Sequence, residues 1–337
     1  MKVLGIETSC DECSAAVVEN GRHILSNVIH TQIEFHKPYN GVVPEIASRK
    51  HTEWILPIAQ KALKEASCSL GDIDSIAVTK QPGLVGSLLV GFTFAKGLSL
   101  SLGIPFTGVD HILSHLYAPH LEYDIEYPYI GLLVSGGHTV FCTVKGYNNI
   151  EVWGTTIDDA CGEAFDKVAK HHKLGYPGGV VIDKLAEKGD SSAFNFPYPS
   201  LHKGDHEFDV SYSGLKTAVI NQLEQFRNTG YEATPENIAA SFQKTAIGMI
   251  VRQLKKLVKK TGISTVVVGG GVAANSLLRK ELSGSEEMTP IFPSMKLCTD
   301  NGAMIAGIGY HYLQDGITAS LSDTAQARVA AFKRTYP

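Results

Sequence analysis

The stretch Lys2–Val28 decides the fold and reads K-V-L-G-I-E-T-S-C-D-E-C-S-A-A-V-V-E-N-G-R-H-I-L-S-N-V. Its short apolar runs predict a strand, a tight polar loop, a second strand, a turn at Asn20 and Gly21, and a third strand. A second copy of the pattern lies at Tyr129–Trp153, Y-I-G-L-L-V-S-G-G-H-T-V-F-C-T-V-K-G-Y-N-N-I-E-V-W. The repeat predicts a duplicated α/β protein in which two lobes begin alike.

The two copies share the positions at which the first strand gives way to a loop. Gly131 matches Gly5, and Ser135 matches Ser9, at the same internal spacing. Small, hydrogen-bonding residues in such loops let backbone N–H groups approach an anion closely. A third glycine-rich loop, G-G-G-V-A-A-N at Gly269–Asn275, follows another predicted strand. We therefore predict a nucleotide in a cleft between the lobes, with three unrelated tight turns as the alternative.

Strands alternate with longer helical patterns outside the two meanders. Helices are predicted near residues 43–66, 85–102, 162–172, 180–188, 212–225, 235–260 and 276–282, and further strands at 75–80 and 265–268. A chain of 337 residues is long for one hydrophobic core. We expect an N-terminal lobe of residues 1–126, joined by a C-terminal helix at about 300–325, and a C-terminal lobe of residues 127–299.

The composition is that of a globular protein, with 44% hydrophobic residues, 19% charged residues and a mean hydropathy of +0.01. The most apolar stretch, Gly83–Leu102, is interrupted by Gly, Ser, Thr and Lys, and Met1–Cys10 lacks the features of a signal peptide. The six cysteines are scattered, so reduced thiols are expected. These features predict a cytoplasmic protein without a membrane association.

The charge pattern limits how a nucleic acid could bind. A formal net charge of −4 argues against a generally basic surface, so such a partner would need a local patch or one shared with another subunit. The clearest basic run is K-K-L-V-K-K at Lys255–Lys260, near the end of a predicted amphipathic helix. Because cations also suit a helix C-terminus, we interpret this run as a solvated helix face.

Two histidines and one aspartate suggest a metal site. His111 and His115 are four residues apart in V-D-H-I-L-S-H-L-Y and would share one face of a helix. Asp300, in C-T-D-N, could complete a set of two imidazoles and one carboxylate that leaves coordination positions open for a substrate. The alternative is a pair of surface or capping histidines in a chain that has 13 of them.

A series of longer motifs runs in order along the chain. They are G-I-E-T-S-C-D-E (5–12), P-E-I-A-S-R (44–49), P-G-L-V-G (82–86), H-x-x-x-H (111–115), L-V-S-G-G-H-T (133–139), D-D-A-x-G-E-A-F-D-K (158–167), Y-P-G-G (176–179), S-G-L-K-T (213–217), G-G-V-A-A-N (270–275) and C-T-D-N (298–301). Over essentially the whole chain, this series resembles the tRNA N6-adenosine threonylcarbamoyltransferase family, called TsaD in bacteria and Kae in archaea and eukaryotes.

The resemblance implies the two-lobed fold of actin, heat-shock ATPases and sugar kinases, in agreement with the duplicated meander. It implies one divalent metal per subunit on His111, His115 and Asp300, with iron(II) favoured and zinc as the alternative. It also implies an ATP/AMP-type nucleotide, with Asp166 and Asp183 accepting ribose hydroxyls. The residues implied to contact the nucleotide or acyl-adenylate are Ser9, Leu133, Val134, Ser135, Gly136, Gly137, His138, Asp166, Gly179, Asp183 and Asn275.

The implied reaction moves a threonylcarbamoyl group from threonylcarbamoyl-AMP to the N6 amine of the adenosine 3′ to the anticodon, in tRNAs reading ANN codons, and releases AMP. The metal would polarise the carbonyl, while N–H groups of the Ser9 and Ser135 loops would hold the departing phosphate. Asp11 and Glu12 are candidates to orient the amine or take its proton, with loop capping as the alternative. For His138, a ligand contact and packing of its loop remain the two alternatives.

The resemblance also implies partners. These are tRNA, threonylcarbamoyl-AMP, a TsaB-like paralogue, a TsaE-like ATPase and a TsaC-type enzyme that supplies the adenylate. A metalloprotease is disfavoured because H-I-L-S-H, at residues 111–115, lacks the glutamate of H-E-x-x-H. A nucleotide-binding scaffold and a kinase of the same fold remain alternatives, since the fold alone does not separate them.

Overall fold

The computed structural model describes residues 1–199 and 206–328. The chain divides into two compact units, and each contains one five-stranded sheet. The first unit is formed by Met1–Ile125 together with the segment that begins at Pro293. The second unit is formed by Glu126–Phe292.

The first unit has a sheet of strand order β3-β2-β1-β4-β5. Its strands are β1 (Lys2–Glu7), β2 (Glu12–Glu19), β3 (His23–Thr31), β4 (Ser75–Gln81) and β5 (Phe106–Asp110). Its helices are α1 (Ile33–His36), α2 (Pro44–Glu65), α3 (Val85–Leu102), α4 (His111–Tyr117), α10 (Met295–Cys298) and α11 (Gly302–Gln314). Because β1 pairs antiparallel with β2, which pairs antiparallel with β3, the predicted meander is confirmed.

The second unit repeats this arrangement with the order β10-β9-β6-β7-β8. Its strands are β6 (Tyr129–Val134), β7 (Thr139–Gly146), β8 (Asn149–Thr155), β9 (Thr265–Gly269) and β10 (Thr289–Ile291). Its helices are α5 (Cys161–His171), α6 (Gly178–Ala186), α7 (Ser213–Asn221), α8 (Pro235–Thr261) and α9 (Ser276–Ser283). β6 pairs antiparallel with β7 and parallel with β9, as β1 does with β2 and β4. The predicted duplication is therefore confirmed.

Two predicted helices extend too far. The helix predicted at 212–225 ends at Asn221, and the chain continues as a separate 3-10 turn at Leu223–Phe226. The C-terminal helix predicted at about 300–325 ends at Gln314. Gly316 follows with φ +74, a left-handed conformation that terminates helices and that only glycine adopts without strain.

The core of the first unit lies between its sheet and helices α2 and α3. Leu4 and Ile6 of β1, with Ile76 and Val78 of β4, are fully buried in this cluster. On the other face of β1, Gly5 lets the backbone of α11 approach so closely that a Cβ on Gly5 would lie 2.1 Å from the Gly302 carbonyl oxygen. This contact fixes the start of α11, and with it the loop that carries Asp300.

One helix among the described residues, α3, is long and apolar enough to cross a membrane by length and composition alone. Its Leu88, Phe92 and Ala95 are buried in the core of the first unit. The helix packs against α2 and β4. This environment is typical of a helix in a protein core, which can meet the same criteria of length and apolar composition.

Replacing Gly5 by alanine is expected to lower the free energy of unfolding by about 3 kcal/mol, because the new methyl group would overlap the α11 backbone. The matched variant Gly97→Ala, on the exposed side of α3 with open space around it, is expected to be neutral or to stabilise by up to about 1 kcal/mol. Urea denaturation measures both. Equal stability of the two variants would contradict the close approach of α11 to β1.

Candidate functional site

The structure brings His111, His115 and Asp300 together. The Asp300 Oδ1 atom lies 3.0 Å from His115 Nε2 and 3.5 Å from His111 Nε2. One ligand atom from each residue falls within 4.8 Å of the other two. Two imidazole nitrogens and a carboxylate oxygen are donors suited to zinc or iron(II). By geometry and by donor type, these residues fit a divalent metal.

Capped helix ends place these side chains. The Asp110 side chain, at the end of β5, accepts the N–H groups of Ile112 and Leu113 at 2.9 and 3.1 Å and so starts α4. His111 and His115 then lie one turn apart on the same helix. Asn301 caps α11 by accepting the Met304 N–H, which fixes the backbone directly after Asp300.

A buried carboxylate orients one of the histidines. Glu7, at the end of β1, is 0% exposed, and its Oε2 atom lies 3.0 Å from His111 Nδ1. The same oxygen accepts the Thr79 hydroxyl at 2.6 Å, and the other accepts the Ser9 N–H. Because a carboxylate only accepts, the Nδ1 atom of His111 carries a proton and its Nε2 atom is the one that faces Asp300.

The charges of the cluster alternate. Burial alone would lower the pKa of His111, but the neighbouring Asp300 and Glu7 carboxylates raise it to about 9. Burial and the charged His111 ring lower the pKa of His115. Burial disfavours ionised Asp300, yet the two histidines hold its pKa below the usual range. A cation that binds here would replace the proton on His111 Nε2. Before binding, His115 is already neutral and Asp300 is already ionised, as metal ligands must be.

The loop between β1 and β2 carries the two predicted acid–base residues. Burial, then Asp11 and Asp300, raise the pKa of Glu12 well above its ordinary range. The Glu12 Oε1 atom accepts the Thr31 hydroxyl at 3.3 Å, and the Asp11 carbonyl accepts the Gln32 N–H at 3.0 Å. A carboxyl with a raised pKa beside a cluster of charged groups is typical of a proton-transfer residue.

Sequence reasoning missed two residues of this region. Glu7 was overlooked in favour of Asp11 and Glu12, although a charged residue in the apolar strand V-L-G-I-E is itself a signal. His51, on α2, lies with its Nε2 atom 2.9 Å from the Cys10 carbonyl oxygen and so supports the β1–β2 loop. Burial lowers the pKa of His51, which favours the neutral ring as donor. Nothing in the spacing of His51 indicated this contact.

Ser9 and Ser135 occupy matching loops but have different partners. The Ser9 N–H is held by Glu7, and its Oγ lies 3.3 Å from His111 Nδ1 and 3.4 Å from Asp300 Oδ2. The Ser135 N–H donates to the His138 carbonyl at 2.8 Å. Neither serine N–H therefore points to open space, so the predicted phosphate contact would need other N–H groups of these loops.

The loop after β6 exposes backbone. The Ser135 Oγ accepts the N–H groups of Gly137 at 3.3 Å and His138 at 3.1 Å, which closes a tight turn. A Cβ added at Gly136 or Gly137 would meet nothing within 4 Å. Leu133 and Val134, in contrast, have buried side chains, so a ligand could reach only their main chain.

Polar side chains join the starts of two helices in the second unit. The Asp166 Oδ1 atom accepts the Gly178 N–H, at the start of α6, at 2.7 Å. Asp183, one turn further along α6, accepts the Asn275 Nδ2 at 3.0 Å and the Ser276 hydroxyl at 2.8 Å. The structure thus brings Asp183 and Asn275 together, while Asp166, on α5, contacts the start of α6.

Glycines keep these helix starts accessible. Gly270, after β9, has φ +90, and a Cβ there would lie 2.4 Å from the Val134 carbonyl oxygen, so only glycine fits this turn. Gly179 in the first turn of α6 and Gly271 after β9 both border open space. Backbone N–H groups at such positions suit an anionic ligand.

The fold defines the class of protein. The chain is similar to HypF from T. kodakarensis, with a TM-score of 0.62 at 15% identity over 93% of this chain and 48% of that one. It is also similar to component A of (R)-2-hydroxyglutaryl-CoA dehydratase from Acidaminococcus fermentans, with a TM-score of 0.54 at 15% identity over 93% and 99% of the two chains. The predicted actin-like ATPase fold is confirmed.

The family follows from sequence similarity. The model of the TsaD family, tRNA N6-adenosine threonylcarbamoyltransferase, matches residues 23–307. Proteins of this name from Treponema denticola and Treponema pallidum (strain Nichols) are 63% and 54% identical to the chain. Both alignments cover 99% of this chain, with 99% and 95% of the relatives. The chain belongs to the tRNA N6-adenosine threonylcarbamoyltransferase family, and the predicted family and enzyme class are confirmed.

The variant Glu7→Gln is expected to weaken divalent-metal binding about 10- to 100-fold. The Ser9 N–H would retain the amide oxygen, so the amide NH2 would face His111. His111 Nδ1 would then accept, and the ring proton would move to Nε2, the atom that faces Asp300.

Equilibrium competition with a coloured zinc chelator measures the metal Kd, and nitrogen NMR of labelled histidine reports the His111 tautomer. Glu53→Gln, on the exposed side of α2, is the isosteric control. An unchanged Kd together with a proton still on Nδ1 in Glu7→Gln would refute the orienting role of this carboxylate.

Proposed function

We propose that the chain transfers the threonylcarbamoyl group from threonylcarbamoyl-AMP to the N6 amine of the adenosine 3′ to the anticodon in tRNAs reading ANN codons, with release of AMP. Membership of the family supports the activity as a whole. The observation that carries the site is the convergence of His111, His115 and Asp300 beside the Glu12 carboxyl.

The cofactor in this proposal is one divalent metal per subunit, with iron(II) favoured and zinc as the alternative. His111 Nε2, His115 Nε2 and Asp300 Oδ1 would hold it. Bound there, the metal supplies Lewis-acid polarisation of an acyl oxygen. Glu7 contributes by keeping the His111 proton on Nδ1, which leaves Nε2 as a ligand.

Glu12 is proposed to take the proton of the attacking amine. As the N6–carbon bond forms and the bond from the acyl carbon to the AMP phosphate oxygen breaks, the amine must lose one proton. The pKa of Glu12 is raised by burial and by the neighbouring Asp11 and Asp300 carboxylates, and a carboxylate with a raised pKa is the stronger base for this transfer. Asp11, the adjacent carboxylate, raises the pKa of Glu12 and is proposed to orient the amine.

The nucleotide part of the donor is proposed to bind the second unit. Its phosphate would meet the Gly136 N–H, which donates to no acceptor among the described contacts, whereas the N–H groups of Ser135, Gly137 and His138 close the turn. Asp183 Oδ2 accepts only the Ser276 N–H, at 3.1 Å among the described contacts, so lone pairs remain for a ribose hydroxyl. Asp166, Gly179 and Asn275 would complete the set.

The proposal places the protein in the cytoplasm, where tRNA and threonylcarbamoyl-AMP are its substrates. A TsaC-type enzyme would supply the adenylate, and a TsaB-like paralogue and a TsaE-like ATPase would act with the chain. The formal net charge of −4 supports a shared assembly, because an acidic chain gains from a partner that contributes to the surface for a polyanion.

Asp300→Ala is expected to lower the rate of transfer at least 100-fold, because it removes the oxygen shared by both histidines. The loss of stability should be smaller than this loss of activity, since the folded cores do not include Asp300. Mass analysis of nucleosides from digested tRNA measures the product, after incubation with synthetic threonylcarbamoyl-AMP and the partner proteins.

The control is Asp124→Ala, which removes an exposed carboxylate paired only with Arg22 among the described residues. Full transfer by Asp300→Ala with no metal bound would overturn the assigned site. Conversion of ATP to ADP with a phosphorylated small molecule, and no modified tRNA, would favour a kinase of the same fold.

A further inference from the structure

Helix α8 carries a row of cations on one face. We call Arg252, Lys255, Lys256, Lys259 and Lys260 the α8 stripe. The spacing of three, four, seven and eight residues from Arg252 places these side chains on the same side of the helix. Leu254 and Leu257, between them in sequence, are fully buried against the rest of the second unit.

The α8 stripe is not neutralised within the part of the chain that the structure describes. None of its cations has a carboxylate within 4.0 Å there, and Glu236, in the first turn, is the acidic residue of α8. Other helices pair their surface charges along the sequence, as Lys61 does with Glu65 and Lys167 with Glu163. Adjacent like charges on a helix repel, so this row would be stabilised by an anionic partner.

A polar recess borders the stripe. Arg252, Gln253 and Lys256 line it together with Tyr198, whose side chain is 45% exposed. Gln253 is 8% exposed, and its Nε2 donates to the Asp209 carbonyl at 2.8 Å. Gln253 therefore forms the closed floor of the recess, and the Tyr198 ring remains open to a ligand.

Asp209 lines the recess, and its carboxylate has other partners. It is buried, where it accepts the Thr155 N–H and lies 3.0 Å from His206 Nδ1. Burial raises the pKa of the Tyr198 phenol, Arg252 lowers it and Glu281 raises it, which places both charges near the ring.

Taken together, the stripe and the Tyr198 ring present cations beside an exposed aromatic group. A phosphate backbone pairs with lysine and arginine, and a base stacks on an aromatic ring. RNA supplies both groups, whereas an acidic protein surface would satisfy the cations alone. The chemistry therefore favours RNA.

The stripe is physically linked to the proposed nucleotide residues. Gln243, earlier on α8, accepts the Asn275 Nδ2 at 3.1 Å. With a rise of 1.5 Å per residue, Lys259 lies roughly 24 Å further along the helix than Gln243. An RNA stem-loop that brings one adenosine to the reaction would extend over a surface of this size.

We propose that the α8 stripe binds the phosphate backbone of the tRNA substrate, with one base stacked on the exposed ring of Tyr198. This inference rests on the proposed function and adds the surface on which the RNA docks. It replaces the interpretation of Lys255–Lys260 as a solvated helix face. Such binding is independent of base sequence and positions the RNA for reaction elsewhere.

The test compares two triple variants with the same change in charge. The stripe variant removes three of the five cations and carries Lys255→Gln, Lys259→Gln and Lys260→Gln. The control variant removes three lysines elsewhere in the second unit and carries Lys145→Gln, Lys173→Gln and Lys188→Gln. Each full-length protein, with its partner proteins, is titrated with unmodified tRNA between about 50 and 200 mM salt. The stripe variant is expected to bind tRNA at least about 10-fold more weakly and to lower the slope of log K against log salt by about 2 to 3.

A second variant tests the recess separately from the charges. Tyr198→Ala is expected to weaken tRNA binding about 5- to 100-fold while leaving the salt slope unchanged, because stacking does not release counterions. AMP affinity and urea denaturation should match the unmodified protein in both the stripe and recess variants. A stripe variant that unfolds at lower urea than the control triple would count against docking and assign these lysines to stability.

Failure of the inference and failure of the proposed function give different results. Equal tRNA affinity and salt slope in the two triple variants would overturn the docking surface, even if threonylcarbamoyladenosine is still made. Tight tRNA binding through the stripe with no product from the unmodified protein would instead overturn the proposed reaction. Binding of polyglutamate through the stripe, with tRNA unaffected, would assign the surface to an acidic protein.

Discussion

The buried Glu7 carboxylate is the interaction on which the candidate site depends. A charge with 0% exposure is costly unless donors surround it, and Glu7 has three, from Ser9, Thr79 and His111. These donors come from the loop after β1, from β4 and from α4. The contacts that stabilise the buried Glu7 carboxylate therefore also hold these three segments in place. Because the same contact sets the tautomer of His111, the stability of the sheet edge and the chemistry of the cluster have a common origin.

The duplicated architecture explains why the two units carry different chemistry. With Gly5 matched to Gly131, Glu7 corresponds to Leu133, which is buried in β6. The first copy therefore ends its strand with a carboxylate that can orient a histidine, and the second ends with an apolar side chain and an open glycine turn. The first unit holds the candidate metal ligands, and the second offers backbone N–H groups and carboxylates for a nucleotide.

Much of the fold was predictable because it is encoded locally. The strand–loop–strand pattern of the two meanders and the long helix Pro235–Thr261 follow from periodicity over neighbouring residues, and the helix Val85–Leu102 follows from its long apolar run. The helix end at Gln314 was missed, since a left-handed glycine at Gly316 stops a helix that hydropathy alone would extend. H-x-x-x-H likewise gave two candidate ligands by spacing, and C-T-D-N offered Asp300 as the third, but the sequence did not show that the three side chains meet.

Local patterns along the chain were enough to predict most of the helices and strands, the family and the residues able to do chemistry. Which of those residues meet depends on the folded structure, because the decisive contacts join residues far apart in the chain. His111 contacts Glu7 across 104 positions and His115 contacts Asp300 across 185. The charges on α8 depend on the fold in the same way. Its lysines can be read from the sequence, but whether carboxylates neutralise them depends on which segments pack beside that helix.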